Sequence, residues 1–320
     1  MPLHPMIESA LRATSVPPYR ELGVAQARVQ AKLGAPGKPD VALAAVQDVL
    51  IPGPGGDIAA RVYTPQGPGP HPVMMFFHGG GFVVLDLDSH DYICMRLAAG
   101  AACVVVSVDY RLAPEHKFPA GPDDCLAATR WAGAHAAEFG GDGSRLAVSG
   151  LSAGATLATV TALRARDEGG PALRGQLLFY PVTDYPSVLT DSYQTYANGY
   201  GLTQDNMLWF WDQYLQTPAA GAHPHASPLR AESLANLPPA CVFVAECDVL
   251  RDEGAAYAQR MQQAGVATHF EVCAGLAHSF VRYAGVLPEV DAVMATTYGW
   301  LRGVLSGPAA SGHQPAAVTR

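Results

Sequence analysis

The sequence predicts an α/β protein with a mostly parallel central sheet, helices on both faces and a helical cap. Three observations lead there. Short apolar runs such as "CVVVSVDY" (103–110) and "ACVFVAE" (240–246) read as strands buried on both faces. Longer stretches with helical spacing fall between those runs, and strand alternating with helix is the pattern of parallel βαβ units. One segment, from Tyr185 to about Leu234, breaks the alternation and reads as an insertion above the strand ends.

The elements follow in order. Residues 1–45 are helix-like without a clear strand, and are expected to be N-terminal cap helices. "AVQDVLIPG" (45–53) and "DIAARVYTP" (57–65) flank "PGPGG" and read as a hairpin. "HPVMMFFHGGG" (71–81) is a buried strand running into a glycine loop. Further strands are expected at 103–110, 145–150, 175–181, 240–246 and 268–273, and helices at 89–99, 122–139, 153–166, 251–264 and 289–305. The body therefore spans 46–305, with the insertion at about 185–234 carrying the aromatic helix "MLWFWDQYL" (207–215). The tail 306–320 has few bulky apolar residues and reads as disordered.

Composition narrows the function. The chain has 320 residues, 49% hydrophobic and 15% charged, enough for a large core. The net charge of −8, without a basic cluster, argues against nucleic acid as a partner. The N-terminus lacks the basic start and apolar centre of a signal peptide, and no apolar run is long enough to span a membrane. Six cysteines without C-x-x-C spacing read as small buried hydrophobes in a reducing compartment, so a cytoplasmic location is expected.

The chemistry centres on "SGLSAGATL" (149–157). Gly150-Leu151-Ser152-Ala153-Gly154 fits G-x-S-x-G at a strand-to-helix junction, the turn that lifts a serine hydroxyl above a sheet. A serine needs a base, and the base an orienting carboxylate. "VFVAECDVLRDEG" places Asp248 just past a strand. Its rivals are Glu246, a structural residue by position, and Asp252 and Glu253, which lie at a helix start where the dipole stabilises acids. "EVCAGLAHSF" places His278 in the loop after the last strand, while His269 lies inside a strand pattern. "FFHGGGF" (76–82) supplies backbone N–H donors for a developing oxyanion, joined by Ala153 directly after the serine. A phosphate loop is the competing reading, but G-x-x-x-x-G-K-[ST] is absent. His223 and His225 lack a third ligand, so no metal is expected.

"HGGGF" (78–82), "YRLAPEHKFPA" (110–120), the Ser152 elbow, "CDVLRDEG" and "LAHSF" occur in that order, and together they resemble the hormone-sensitive-lipase-like esterases, the bacterial family IV branch of the α/β-hydrolases. The resemblance covers about residues 40–305. It implies an α/β-hydrolase fold, a Ser152–Asp248–His278 triad, oxyanion donors on Gly80, Gly81 and Ala153, a helical cap and no cofactor. His78, Gly79 and Glu115 match positions that shape the site, with a structural hydrogen-bonding role favoured for His78 and Glu115. The implied substrate is a small-molecule ester. Short to medium acyl chains are expected, with Phe82, Trp209, Phe210 and Tyr214 the candidates to line the pocket, although packing into the body is the default reading for aromatics at helical spacing. A homodimer through the edge strand near "THFEVC" is also implied. Three departures stand out: Leu151 precedes the serine where the family usually has Asp or Thr, Ala155-Thr156 follows the elbow where Gly is usual, and Val249 follows Asp248 where Pro is common. An amidase, lactonase or carbamate hydrolase would use the same triad. A non-catalytic ligand-binding receptor would have no need of His278.

Overall fold

The computed structural model describes residues 2–13 and 16–306, so the tail beyond Ser306 lies outside the described residues. Helices α1 (Pro5–Ala13) and α2 (Tyr19–Leu33) come first, and α2 bends at Gly23. The hairpin β1 (Ala45–Gly53) and β2 (Gly56–Thr64) follows, paired from Ala45↔Thr64 to Gly53↔Gly56. Then come β3 (His71–Phe77), α3 (Asp91–Ala101), β4 (Val104–Val108), α4 (Ala120–His135), β5 (Gly141–Leu151), α5 (Ala153–Asp167) and β6 (Leu173–Phe179). The insertion holds α6 (Asp191–Thr195) and α7 (Gln204–Tyr214), capped by the hydroxyls of Thr190 and Thr203. The chain closes with β7 (Ala240–Cys247), α8 (Arg251–Gln263), β8 (Thr268–Ala277) and α9 (Pro288–Ser306).

The eight strands form one sheet in the order β1-β2-β4-β3-β5-β6-β7-β8. Only the β1–β2 and β2–β4 pairs are antiparallel. Side chains alternate across it, as the strand period requires. Val73, Met75 and Phe77 of β3 enter one apolar cluster with α4, α5 and α8, while Met74 and Phe76 enter a second with α3 and α9. Both faces are thus covered, which is why the central strands read as unbroken apolar runs.

The layout brings the carboxyl ends of the parallel strands to one rim, where β3, β5, β7 and β8 each end in a loop. Helices α2 and α7 pack together beside the loop after β3. Tyr19 meets Trp209 and Phe210 at ring-centroid distances of 5.6 and 5.5 Å, and Arg20 pairs with Asp205 and Asp212. Helix α1 sits nearer β8, with the His4 N–H donating to the Gly275 carbonyl and Ile7 buried in the second cluster. All six cysteines are free thiols and buried. No described helix is long and apolar enough to cross a membrane.

Candidate active site

Ser152 sits between β5 and α5 with φ 54° and ψ −122°. That conformation is costly for a residue with a Cβ, on the order of 1–3 kcal/mol, and persists only where its surroundings impose it. The two flanking glycines are what impose it here. A Cβ on Gly154 would fall 1.9 Å from the Phe77 carbonyl oxygen, and one on Gly150 would fall 2.2 Å from the Gly154 carbonyl carbon. Strand β3, strand β5 and the first turn of α5 therefore approach more closely than any side chain allows. Leu151 points away from this chemistry into the second apolar cluster, so the lack of a polar group there is filled by packing. Thr156, on the first turn of α5, donates its hydroxyl to the Val182 carbonyl at 2.6 Å and ties the elbow to the loop after β6.

His278 follows β8 directly, with Nε2 3.1 Å from Ser152 Oγ and Nδ1 2.7 Å from Asp248 Oδ2. A carboxylate only accepts, so the proton sits on Nδ1 and leaves Nε2 free to accept from the serine hydroxyl. Asp248 is 2% exposed and Ser152 8% exposed. The Leu250 N–H donates to the other Asp248 oxygen at 3.1 Å. Tyr180, itself buried, places its ring 4.6 Å from the imidazole and forms one wall beside it.

The loop carrying Asp248 is braced from the insertion. Ser192 of α6 donates its hydroxyl to the Val249 carbonyl at 2.7 Å, and its N–H donates to Asp252 at 2.8 Å. The carbonyl of Val249 is thus held by a buried hydrogen bond. The other rival carboxylates have separate tasks. Glu246 accepts from the Gly275 N–H, and Glu253 turns inward to accept from the N–H of Thr183 at 2.7 Å. Glu253 does lie in the first turn of α8, but it is 3% exposed, and burial pushes its carboxyl well above the usual range.

The glycine loop after β3 turns tightly, with the N–H groups of Val83 and Val84 both donating to the Gly80 carbonyl. Gly81 has φ +58°, and the Phe210 ring fills the space a side chain would need: a Cβ would lie 2.2 Å from it. Among the described residues, the N–H groups of Gly80, Gly81 and Ala153 donate to no protein acceptor outside a helix or strand. The Gly79 N–H donates to His90 Nε2 at 3.2 Å, so it is already engaged. His78 is buried, stacked on Tyr110 at 4.4 Å, and bonded through Nδ1 to the Gly79 carbonyl. Burial lowers the basicity of both histidines, His90 to about 3, so both are neutral near pH 7.

The remaining expected residues divide. Phe82 stacks on Tyr214 at 3.9 Å and lies 6.0 Å from Trp211, while Trp209 leans toward Tyr19 of α2. Glu115 does not face the serine. It forms a two-bonded pair with Arg28, which holds its carboxyl below the usual range. His223 and His225 meet each other edge to face, and no group of three metal-ligating side chains forms among the described residues.

A family model described as the alpha/beta hydrolase fold matches residues 74–282. The chain is 44% identical over 271 residues to Esterase LipI of Mycobacterium tuberculosis, covering 82% of this chain and 83% of that one. It is 41% identical over 243 residues to an ethyl acetate hydrolase of Pseudomonas putida, covering 74% and 76%. Among solved structures, a thermostable esterase from Pseudomonas putida superposes with TM-score 0.90 at 39% identity, covering 95% of this chain and 98% of that one. A hyperthermophilic esterase from the archaeon Pyrobaculum calidifontis superposes with TM-score 0.89 at 39% identity, covering 95% and 99%.

Proposed function

The chain belongs to the α/β-hydrolase family, in its hormone-sensitive-lipase-like branch, and from that premise we propose that it hydrolyses carboxylic esters with short to medium acyl groups through an acyl-enzyme. The observation that carries the proposal is the unbroken relay Ser152 Oγ–His278 Nε2, His278 Nδ1–Asp248, drawn from three separate loops. Ser152 attacks the ester carbonyl while His278 takes its proton. Asp248 orients the imidazole and stabilises its positive charge. The N–H groups of Gly80, Gly81 and Ala153 receive the oxyanion, each worth about 3–4 kcal/mol of barrier. His278 then protonates the leaving alcohol, and water repeats the sequence on the acyl-enzyme.

The names of the relatives, esterases and an ethyl acetate hydrolase, support ester chemistry. The aromatic side chains crowding the glycine loop support a small acyl group: Phe82, Phe210, Trp211 and Tyr214 are each at most 5% exposed. The buried free thiols fit a reducing compartment, so a cytoplasmic location belongs to the same proposal. So does a homodimer through β8, an edge of the sheet on which Val272 is 42% exposed; a monomeric mass in solution would refute that part.

Replacing Ser152 with Ala tests the reading. Hydrolysis of p-nitrophenyl butyrate should fall by about five to six orders of magnitude, with the circular dichroism spectrum unchanged. Turnover at the wild-type rate would remove Ser152 from the mechanism. A chain-length series from acetate to palmitate checks acyl preference, and an optimum on long-chain emulsions would contradict it.

A further inference from the structure

Glycine loops have few side chains with which to fix themselves, yet oxyanion donors work only when held close to their geometry. The structure shows where the holding comes from. The glycine loop has two outside contacts on the bent helix α2, one helical turn apart. Arg28 donates through Nε to the Val83 carbonyl at 2.9 Å and through Nη2 to the Ala113 carbonyl at 3.0 Å. Its fork is itself held by the paired oxygens of Glu115, at 2.9 and 2.6 Å. Ala113 in turn donates its N–H to the Phe82 carbonyl at 2.9 Å. Arg28 thus fixes, directly or through one residue, two consecutive carbonyls just beyond Gly81.

The second contact is Lys32, whose ammonium pairs with Asp86. Asp86 closes a turn by accepting the Ser89 N–H at 3.0 Å, and its own N–H donates to Ser89 Oγ at 2.9 Å. The same turn carries His90, whose Nε2 accepts the Gly79 N–H. The loop is therefore gripped on both sides of Gly80 and Gly81.

We propose that α2 is a two-point clamp on the oxyanion loop, with Arg28 and Lys32 as positioning residues that act through Val83, Ala113 and Asp86 on the Gly80 and Gly81 amides. The inference rests on the ester-hydrolase reading and goes beyond it, because neither side chain touches Ser152, Asp248 or His278. A clamp of this kind acts on the transition state. The ester is neutral at its carbonyl when it binds, whereas the tetrahedral intermediate needs both amides aimed at one point. Loosening the loop therefore lowers kcat and spares KM.

The test measures kcat and KM for p-nitrophenyl butyrate, and the affinity of butaneboronic acid, whose adduct with Ser152 places an oxygen in the oxyanion site. In Arg28→Met, kcat should fall about tenfold to a hundredfold, less than or similar to the loss of one oxyanion donor. KM should move less than about threefold and boronate affinity should fall in parallel with kcat/KM. Arg28→Lys keeps the charge but loses the fork, and should recover only part of the loss. Lys32 is half exposed, so Lys32→Met is safe for folding, and it should lower kcat by about threefold to tenfold by the same reasoning. Arg20→Met is the control, since Arg20 lies on the same bent helix, pairs among the described residues with Asp205 and Asp212 on α7 and not with the glycine loop, and should leave kcat unchanged.

Arg28→Met and Lys32→Met variants that keep wild-type kcat and boronate affinity while only their melting temperatures drop would overturn the clamp, leaving the two residues a purely structural role. So would a loss confined to KM, or an Arg20→Met variant that loses kcat equally. A wild-type protein that hydrolyses no ester and leaves Ser152 unlabelled by a fluorophosphonate would sink the function reading itself, and the clamp with it.

Discussion

The nucleophile elbow and the glycine loop sit side by side on the rim of the sheet, yet they are held in different ways. The elbow is fixed locally. Gly150, Ser152 and Gly154 lie within five residues, and backbone crowding among β3, β5 and α5 leaves the serine one conformation. The glycine loop is fixed from a distance, by an arginine 55 residues upstream in sequence and by a histidine 11 residues downstream. One is built from excluded volume and the other from hydrogen bonds. Excluded volume tolerates no substitution, whereas a hydrogen-bonded loop can be loosened by degrees.

That contrast can be broken first at its stiff end. Gly154→Ala adds a methyl group 1.9 Å from the Phe77 carbonyl, which no rotamer can relieve. It should cost about 3 kcal/mol or more in urea-unfolding free energy, in the range of overpacked core sites, and activity should fall by more than a hundredfold. A variant with normal stability and turnover would show that the elbow is not held by sterics.

A smaller effect is expected at the acid loop, which lies between the two extremes. Ser192→Ala removes the donor to the Val249 carbonyl in a fully buried setting. Leaving that oxygen unpaired should cost about 1–3 kcal/mol. Because Asp248 moves with the loop, kcat should fall several-fold while KM holds. An unchanged kcat would show that Asp248 does not depend on α6 for its position.

The smallest effect lies in the glycine loop under acid. Burial depresses His90 from 6.5 to about 3, so the unfolded chain takes up that proton first. Stability from the neutral ring is complete above about pH 6.5 and is lost as the pH falls toward about 3. His90→Gln keeps an acceptor for the Gly79 N–H but does not titrate. The variant should therefore lose about 1.6 kcal/mol less than the wild type on going from pH 6.5 to 5. Melting temperatures at the two pH values check this, and parallel acid curves would contradict it. His78, lowered in the same direction by the same cause, retains its own share of the acid sensitivity.

The same contrast explains what could be read from the sequence. The sheet was legible because burial on both faces leaves apolar runs such as Val104–Val108. The elbow was legible because its constraint is local: the clash at Gly154 demands glycine at a fixed offset from Ser152. Asp248 and His278 could be picked out because each directly follows a strand. Arg28 and Ser192 could not. Their partners lie 55 and 57 residues away, and a hydrogen bond to a backbone carbonyl places no demand on the partner's identity. Glu253 was legible as an acid at a helix start, but not its burial: the loop after β6 folds over it and takes its oxygen for the N–H of Thr183, 70 residues away. Trp211 belonged to a legible aromatic run, but which of its members faces Phe82 depends on how α7 is rotated against the glycine loop.

The most direct measurement is the site of covalent capture by a fluorophosphonate, read by peptide mass spectrometry on the wild type and on His278→Ala. The account predicts a single adduct on Ser152 in the wild type, with labelling slowed by orders of magnitude once the imidazole is gone. An adduct on another residue, or equal labelling rates in both proteins, would contradict it.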